Sequence, residues 1–240
     1  MEPITTTAVW PLWFVIGVVC VIGAVAAIFV HAFMRSKAPK AVSEEESKVY
    51  VYPLPVRLWH WGNALIFIAL LLSGLFSHFG LLTRGILKPV HILGAVSLMG
   101  LWAYFFVMNI ITGNIKHYFG SLKGIVSLCA VQLRYYLYGI FRGEAHPFHT
   151  TKESKFNPLQ QITYIGVTYI MIPALILTGT QIHNHPFMKA PHLGLSLLSL
   201  IFIAGHVYLS LCGSYKTQYI KGMIDGYHRE TEKTVSKTQH

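Results

Sequence analysis

The most regular feature of the chain is the alternation of long apolar runs with short charged segments. Five runs contain no Lys, Arg, Asp or Glu, and they lie between Glu2 and Arg35, Arg57 and Arg84, Lys88 and Lys116, Lys155 and Lys189, and Lys189 and Lys216. Each is longer than the about 20 residues that an α-helix needs to cross the hydrocarbon layer of a bilayer. The pattern therefore predicts an all-α integral membrane bundle with five spans.

The boundaries of these spans divide the chain into four parts. Prolines mark predicted helix starts at Pro11, Pro89, Pro158 and Pro191, because a proline in a first helical turn gives up no hydrogen bond. We expect an N-terminal transmembrane helix in residues 1–36, a cytoplasmic linker in 37–52, a four-helix domain in 53–228 and a flexible cytoplasmic tail in 229–240. A segment near 117–141 is apolar but too polar to span, and it predicts a helix lying in the cytoplasmic interface.

Charge adds the orientation of the spans. Only 12% of the residues are charged, and the net charge is +10. Lys and Arg number five, six and five in the two segments and the tail on one side, against two and one in the two loops on the other. Because basic residues concentrate in cytoplasmic loops, we expect the N-terminus outside and the C-terminus in the cytoplasm. The positive charge is thus a topology signal, and nucleic acid is not an expected partner.

Cysteine usage excludes several redox centres. Cys20, Cys129 and Cys212 are scattered, with no C-x-x-C pair. This argues against iron–sulfur clusters, covalently attached c-type haem and structural zinc within the chain.

Thirteen histidines are unusual in so apolar a chain, because ionisable side chains inside a membrane are costly and are by default functional candidates. His60 lies near the cytoplasmic end of the second span, and His91 lies near the outer end of the third. His192 and His206 lie fourteen residues apart on the fifth span. Fourteen residues are close to four helical turns, so these two share one face and are separated by about 21 Å.

The four histidines form two pairs at matching depths, His60 with His206 and His91 with His192. Two such pairs are what two bis-histidine haems require, and bundle cores are where such cofactor sites are built. A lone intramembrane histidine more often makes hydrogen bonds between helices, so the argument depends on the depth match of all four. The other histidines considered lack such partners and are expected in interfaces or loops: His31, His78, His117, His146, His149, His183 and His185.

Neighbouring residues support the pairs. Arg57 precedes His60 by three residues, shares its helix face and is a candidate partner for a haem propionate. Gly94, three after His91, and Gly205, beside His206, would let a flat macrocycle approach the backbone. Close helix packing explains these glycines about equally well.

The chain resembles the b-type cytochrome subunits of nickel–iron hydrogenases, formate dehydrogenases and thiosulfate reductases over about residues 50–228. The motifs are Arg57-Leu58-Trp59-His60-Trp61-Gly62-Asn63, Lys88-Pro89-Val90-His91-Ile92-Leu93-Gly94, the His192/His206 pair, Lys155-Phe156-Asn157-Pro158-Leu159-Gln160-Gln161 and Gly222-Met223-Ile224-Asp225-Gly226-Tyr227. The chain departs from the family pattern in its additional first span and in Pro158-Leu159, where the family favours small residues.

The resemblance implies a four-helix dihaem cytochrome b core with one extra N-terminal helix, in the cytoplasmic (inner) membrane of a bacterium or archaeon. It implies two haem b cofactors and a quinone or quinol (menaquinone or ubiquinone) at the cytoplasmic haem, beside Asn157. First-turn N–H groups and the side chains of Asn157, Gln160 and Gln161 can donate to a quinone carbonyl there. The outer loop around His183–His185 is the competing location, and helix capping is the alternative role of Asn157.

These inferences favour an electron-transfer subunit of a quinone-linked oxidoreductase rather than an enzyme on its own. The expected partners are an iron–sulfur or multihaem electron-transfer subunit and a catalytic subunit at the outer face, together with membrane lipid. One alternative is a self-contained transmembrane reductase. The other is a haem-free anchor or transporter whose histidines relay protons. Acidic residues within the spans would favour the latter, and the five spans have none.

Overall fold

The computed structural model describes residues 10–38, 45–81, 83–119, 122–148, 155–213 and 217–232. Within these ranges, five helices are long and apolar enough to cross a membrane: Leu12–Ser36, Leu54–Phe79, Gly85–Ile111, Pro158–Gln181 and Pro186–Ser210. Many large apolar side chains of these helices are exposed on the surface of the protein. This exposure suits a membrane, because lipid tails are as apolar as these side chains. The predicted all-α membrane bundle with five spans is confirmed.

The helices, in chain order, are α1 (Leu12–Ser36), α2 (Leu54–Phe79), α3 (Arg84–Ile111), α4 (Lys116–Phe119), α5 (Ile125–Leu137), α6 (Pro158–Ile165), α7 (Ile172–Gln181), α8 (Lys189–Ser210) and α9 (Gln218–Asp225). Short 3₁₀ turns cover Gly139–Phe141 and Pro186–Met188, and a π-helical segment, Gly166–Met171, joins α6 to α7. We call the end of the bundle that carries His60 and His206 the inner end, and the end that carries His91 and His192 the outer end.

Three of the four prolines lie where the sequence predicted helix starts. Pro11 immediately precedes α1, Pro158 is the first residue of α6 and Pro191 is the third residue of α8. The prediction for Pro89 is wrong, because α3 begins at Arg84 and Pro89 lies inside it. A proline this close to a helix start removes only the hydrogen bond to the carbonyl four residues earlier, so one turn of helix can still precede it.

Two helical hairpins and the first helix make up the bundle. α2 packs against α3, and α7 packs against α8. α1 lies along α8, so close that a Cβ added to Gly17 would be 2.6 Å from Cδ1 of Leu197. At the inner end, the Arg35 guanidinium donates hydrogen bonds to the carbonyls of Leu211 (2.6 Å) and Gly213 (3.0 Å), just beyond the last residue of α8. The first span is therefore a packed part of the bundle.

The π-helical segment in the fourth span has a local cause in Pro173, the second residue of α7. Proline has no N–H, so the i→i−5 hydrogen-bond pattern of a π-helix leaves the carbonyl of Thr168 without a backbone donor. Trp102 of α3 supplies a donor, with its Nε1 2.7 Å from that carbonyl oxygen. This bond ties α3 to the middle of the fourth span.

A two-stranded ribbon closes the inner end, and the sequence analysis did not predict it. β1 (Glu45–Tyr50) pairs antiparallel with β2 (Tyr227–Glu232). The ribbon joins part of the predicted linker to the start of the predicted tail. Residues 39–44 of that linker and 233–240 of that tail lie outside the described residues.

Gly226 turns the chain from α9 into β2 with a φ of 91°. Its carbonyl accepts hydrogen bonds from the backbone N–H groups of Val51 (3.0 Å) and Tyr52 (3.1 Å). A Cβ at this position would lie 2.7 Å from the carbonyl oxygen of Tyr52. Both the positive φ and the close approach require glycine.

The segment between α3 and α6 lies across the inner end. α5 has 13 residues, which is too short to cross a bilayer, and it packs against α6. Gln161 of α6 donates from Nε2 to the carbonyl of Tyr118 in α4 (2.7 Å), and Lys155 donates from Nζ to Asn114 Oδ1 (2.9 Å). These bonds hold the start of α6 against the segment that follows α3.

Candidate functional site

The outer pair of predicted histidines comes together between the two hairpins. His91 projects from α3 and His192 from α8. Their ring centroids are 6.4 Å apart and their planes are inclined by 73°. Because the two residues belong to different hairpins, the pairing depends on how those hairpins pack.

The inner pair joins α2 to α8. The ring centroids of His60 and His206 are 5.9 Å apart, with an interplanar angle of 48°. Phe202 stacks on His206 at 5.5 Å from one turn earlier on α8, and the ring of Tyr164 of α6 lies 6.5 Å away. Aromatic rings thus enclose the His206 side of this pair.

A pair of imidazoles is too small a donor set for a metal ion bound by protein alone. In the described part of the chain, no group of three or more His, Cys, Asp or Glu side chains gathers. Structural zinc, by comparison, takes four protein ligands and catalytic zinc takes three. Haem iron needs only axial ligands from the protein, because the macrocycle supplies its other nitrogen ligands.

The spacing of the rings is also suitable for haem. With metal–imidazole bonds of about 2 Å and a ring radius of roughly 1.2 Å, two axial imidazoles have centroids about 6.4 Å apart. The outer pair is at this separation and the inner pair is within about half an ångström of it. Both pairs therefore fit the cofactor.

A hydroxyl and a glycine accompany each outer histidine, and the sequence analysis missed them. Ser73 Oγ lies 2.9 Å from Nδ1 of His91, and Thr178 Oγ1 lies 3.0 Å from Nδ1 of His192. Each hydroxyl residue is followed directly by a glycine, Gly74 or Gly179. Serine, threonine and glycine are common in transmembrane helices for packing reasons, so only their position beside the histidines distinguishes them.

The glycines that the sequence analysis considered behave differently from each other. A Cβ on Gly94 would lie 3.1 Å from the side chain of Leu70, so close packing of α3 on α2 explains this glycine. A Cβ on Gly205 would meet no described atom within 4 Å.

Around the inner pair, three side chains of α2 have buried polar atoms without a hydrogen-bond partner among the described residues. They are Arg57 Nε, His60 Nδ1 and Asn63 Oδ1, spaced three residues apart and so on one side of the helix. The rest of the Arg57 guanidinium donates to the carbonyl of Ile224 in α9. Buried polar atoms are nearly always paired in native proteins, so this face has room for the polar groups of a ligand.

Asn157 and Gln160 form a capping box at the start of α6. Asn157 Oδ1 accepts from the Gln160 backbone N–H (2.9 Å), and Gln160 Oε1 accepts from the Asn157 backbone N–H (3.1 Å). The capping role considered for Asn157 is therefore present. The cap uses only the oxygen of the Asn157 amide, and its Nδ2 group remains a donor.

That donor meets a buried tyrosine. Burial raises the pKa of Tyr136 in α5, while the side-chain amides of Asn157 and Gln132, acting as hydrogen-bond donors to its hydroxyl, lower it. Gln132 is fully buried, its Nε2 lies 3.2 Å from Nε2 of His146, and its Oε1 has no partner among the described residues. A polar cluster thus lies beneath the start of α6.

The remaining histidines lie apart from the two pairs. His31 of α1 donates from Nε2 to the carbonyl of Tyr136 (2.7 Å) and accepts at Nδ1 from the Tyr208 hydroxyl, which links α1 to α5 and α8. His78 lies among aromatic rings at the outer end, and His117 lies in α4. His183 and His185 are exposed. His149 lies outside the described residues.

Comparison with known proteins gives one family. Residues 51–226 match the family described as prokaryotic cytochrome b561. The chain is 38% identical over 242 residues to the putative cytochrome YdhU of Escherichia coli (strain K12), which covers 95% of this chain and 93% of that protein. Over 47 residues, 20% of each chain, it is 40% identical to the probable Ni/Fe-hydrogenase B-type cytochrome subunit of Rhizobium leguminosarum bv. viciae. No solved structure gives a significant match.

Proposed function

Because this chain belongs to the prokaryotic cytochrome b561 family, we propose that it carries electrons across the membrane through two b-type haems, one held by His91 and His192 and the other by His60 and His206. Haem-based transmembrane electron transfer follows from the family itself. The observation that supports two haems is the presence of two facing histidine pairs, with centroids 6.4 Å and 5.9 Å apart. α8 supplies one histidine to each pair, about 21 Å apart along its axis.

When bound, haem supplies a one-electron iron couple at each depth of the membrane. The chain's own residues would hold and surround it. The histidines would bind the iron through a ring nitrogen, and Arg57 would offer its buried Nε to a propionate carboxylate. Phe202 and Tyr164 keep water from the His206 side of the inner site.

We place a quinone or quinol, menaquinone or ubiquinone, at the inner end between Asn157 and His206. The capping box leaves the amide N–H₂ of Gln160 unused and leaves Asn157 one N–H beside the one directed at Tyr136. A quinone carbonyl needs such donors, which are scarce in hydrocarbon. The ring of Tyr164 lies near that of His206, which puts the start of the fourth span next to the inner histidine pair.

At the outer end we propose a partner that carries an iron–sulfur or multihaem centre and belongs with a catalytic subunit. One relative is a probable B-type cytochrome subunit of a Ni/Fe-hydrogenase, and an assembly of this general kind suits an electron-transfer chain with short outer loops. The distribution of Lys and Arg supports an inner end facing the cytoplasm of a bacterium or archaeon. An electron moving inward then works against the membrane potential by about 2.3 kcal/mol per 100 mV.

The number of haems bound per chain directly tests the proposed function. We expect the purified protein to contain two non-covalent, low-spin haems by pyridine haemochrome assay and reduced-minus-oxidised spectra. His91→Ala or His192→Ala should remove the outer haem and largely spare the inner one, while His60→Ala or His206→Ala should do the reverse. His183→Ala is the matched control, because His183 is exposed and outside both pairs.

One haem per chain, or parental spectra in all four variants, would contradict the assignment. Co-purification then separates the two remaining functions. A redox subunit that stays bound through affinity purification supports an electron-transfer subunit, whereas a self-contained reductase would turn over an acceptor as the isolated chain.

A further inference from the structure

A hydroxyl residue followed by a glycine lies against each outer histidine. Ser73–Gly74 of α2 contacts His91, which is on the next helix, and Thr178–Gly179 of α7 contacts His192, also on the next helix. Two hairpins of different sequence thus present the same pair of groups to the two histidines.

The hydroxyls determine which ring nitrogen carries the proton. Ser73 Oγ donates to the carbonyl of Leu70 (3.1 Å), and Thr178 Oγ1 donates to the carbonyl of Ala174 (2.7 Å). A hydroxyl has a single proton, and with that proton on the carbonyl its oxygen accepts from the histidine. Nδ1 of each histidine is therefore the protonated nitrogen and Nε2 keeps its lone pair, which is the form that binds a metal.

The glycines fix where each ring lies. A Cβ on Gly74 would be 3.4 Å from Cε1 of His91, and a Cβ on Gly179 would be 3.0 Å from Cε1 of His192. The first is an ordinary van der Waals contact and the second is tighter than nine in ten real contacts of a Cβ. Each ring thus lies beside the space that a side chain at the glycine position would fill, with its Nδ1 on the adjacent hydroxyl.

His60, the histidine that α2 contributes to the inner pair, has no such hydroxyl among the described residues. Nδ1 of His60 is buried and has no hydrogen-bond partner among the described residues. A ligand histidine that donates its second N–H to an acceptor is a stronger electron donor to the metal, and stronger donation stabilises the oxidised iron.

We propose that Ser73–Gly74 and Thr178–Gly179 are positioning residues that fix the tautomer and orientation of His91 and His192 and thereby lower the midpoint potential of the outer haem. This rests on the proposed function, in which these histidines bind the outer haem.

A redox titration of the detergent-solubilised protein tests this, followed by visible spectra and by electron paramagnetic resonance of the oxidised haems. In Ser73→Ala, Thr178→Val and the double variant, both haems should remain bound. The midpoint potential of the outer haem should rise and its resonance should shift or broaden, because the rings lose their anchor. The inner haem should titrate as in the parent.

Ser73→Thr and Thr178→Ser keep the hydroxyl and should retain the parental potential. Thr180→Val is the matched control, because Thr180 is exposed and, among the described residues, bonds to the carbonyl of Leu177 in its own helix. Parental potential and resonance in the double variant would overturn the proposal. If Ser73→Ala loses haem, failure of Ser73→Thr to restore the parental potential also overturns it.

The His91→Ala variant separates this proposal from the proposed function. Retention of both haems in His91→Ala removes the ligand assignment itself. Loss of the outer haem in His91→Ala, combined with no change in the hydroxyl variants, refutes only the positioning role.

Discussion

Asn157 uses the two ends of its side-chain amide for different purposes. The oxygen caps α6 by accepting from Gln160 N–H, while the nitrogen acts as a donor towards Tyr136. Asn157→Asp keeps the capping oxygen and removes the donor. We expect both haems and the melting temperature of this variant to stay near parental, while haem oxidation or reduction by quinone slows several-fold in stopped-flow measurements.

Asn157→Leu is the companion variant, because it removes the cap as well and should lower the free energy of unfolding by about 1 kcal/mol. If Asn157→Asp shows parental quinone kinetics, and His183→Ala or Asn184→Ala is defective instead, the quinone site belongs at the outer end.

The histidines were predictable from the sequence, because ionisable side chains are costly inside a membrane. The hydroxyl residues beside them were not, because serine and threonine are common in transmembrane helices. Histidine is rare in a membrane span and its period along α8 can be counted, so the partner of each candidate ligand could be named. The structure brings each pair together, although haem binding by these residues stays a prediction. Ser73 and Thr178 gave no such signal, because a hydroxyl in a span usually bonds to its own helix, as both of these also do.

At the scale of elements, α1 is held to the bundle by a few polar contacts at its inner end. The Arg35 guanidinium donates to two carbonyls beyond the last residue of α8. A hydrogen bond to a charged group contributes about 1.5–3 kcal/mol. We expect Arg35→Met to lower the free energy of unfolding by about 2 kcal/mol, measured by thermal or chemical unfolding of the detergent-solubilised protein.

Lys37→Met is the control for that variant, because Lys37 is exposed and its Nζ lies 4.5 Å from the ring centroid of Phe33, with no bond to α8 among the described residues. Equal destabilisation by both changes would mean that the loss of positive charge, rather than the bonds to α8, is responsible.

The β-ribbon should loosen in acid. Asp225 pairs with Arg229 and accepts from the Tyr227 backbone N–H (3.0 Å), and the hydrogen bond from Arg229 lowers the pKa of this carboxyl. A lowered folded-state pKa means that the stabilisation is complete above the unfolded value of about 3.9 and is lost as the pH falls through the folded value. The protection of the backbone amides of residues 45–50 and 227–232 against hydrogen exchange, relative to their intrinsic exchange rates, should therefore fall below about pH 4.

The Asp225→Asn variant tests whether protonation of this carboxyl is the cause. Its ribbon amides should be less protected at neutral pH and should lose little further protection in acid. An acid response as large in Asp225→Asn as in the parent would assign the effect to another group.

The spans and the ribbon show which elements a sequence pattern can predict. A span is defined by its own residues, since about 20 uncharged apolar positions admit few other structures. The ribbon depends on pairing between segments about 180 residues apart. Neither strand shows the alternation of apolar and polar residues that predicts a β-strand. The helix start predicted at Pro89 was wrong because a proline near a helix start restricts the helix without fixing its first residue.

At the scale of the whole molecule, α8 is the common element. It supplies His192 and His206 to the two pairs, packs against α7 on one side and α1 on another, and ends at the carbonyls that Arg35 binds. The two sites are therefore held at a fixed separation by one helix, whereas His60 and His91 come from a separate hairpin. Changes in the packing of that hairpin should disturb both pairs, while changes in α1 should first affect the inner end.

The direction of energy conversion depends on the orientation of the molecule in the membrane. Lys and Arg occur five, six and five times in the segments on the inner side and twice and once in the loops on the outer side, so the inner end should face the cytoplasm. A phosphatase fused after His240 should be inactive and a fluorescent protein there should fluoresce, while a tag before Met1 should be accessible to a reagent that cannot cross the membrane. A tag labelled on the same side as the C-terminal reporter would imply an even number of spans. The reverse result at both ends would put His60 and His206 outside, and inward electron flow from the outer partner would then have no quinone to reach.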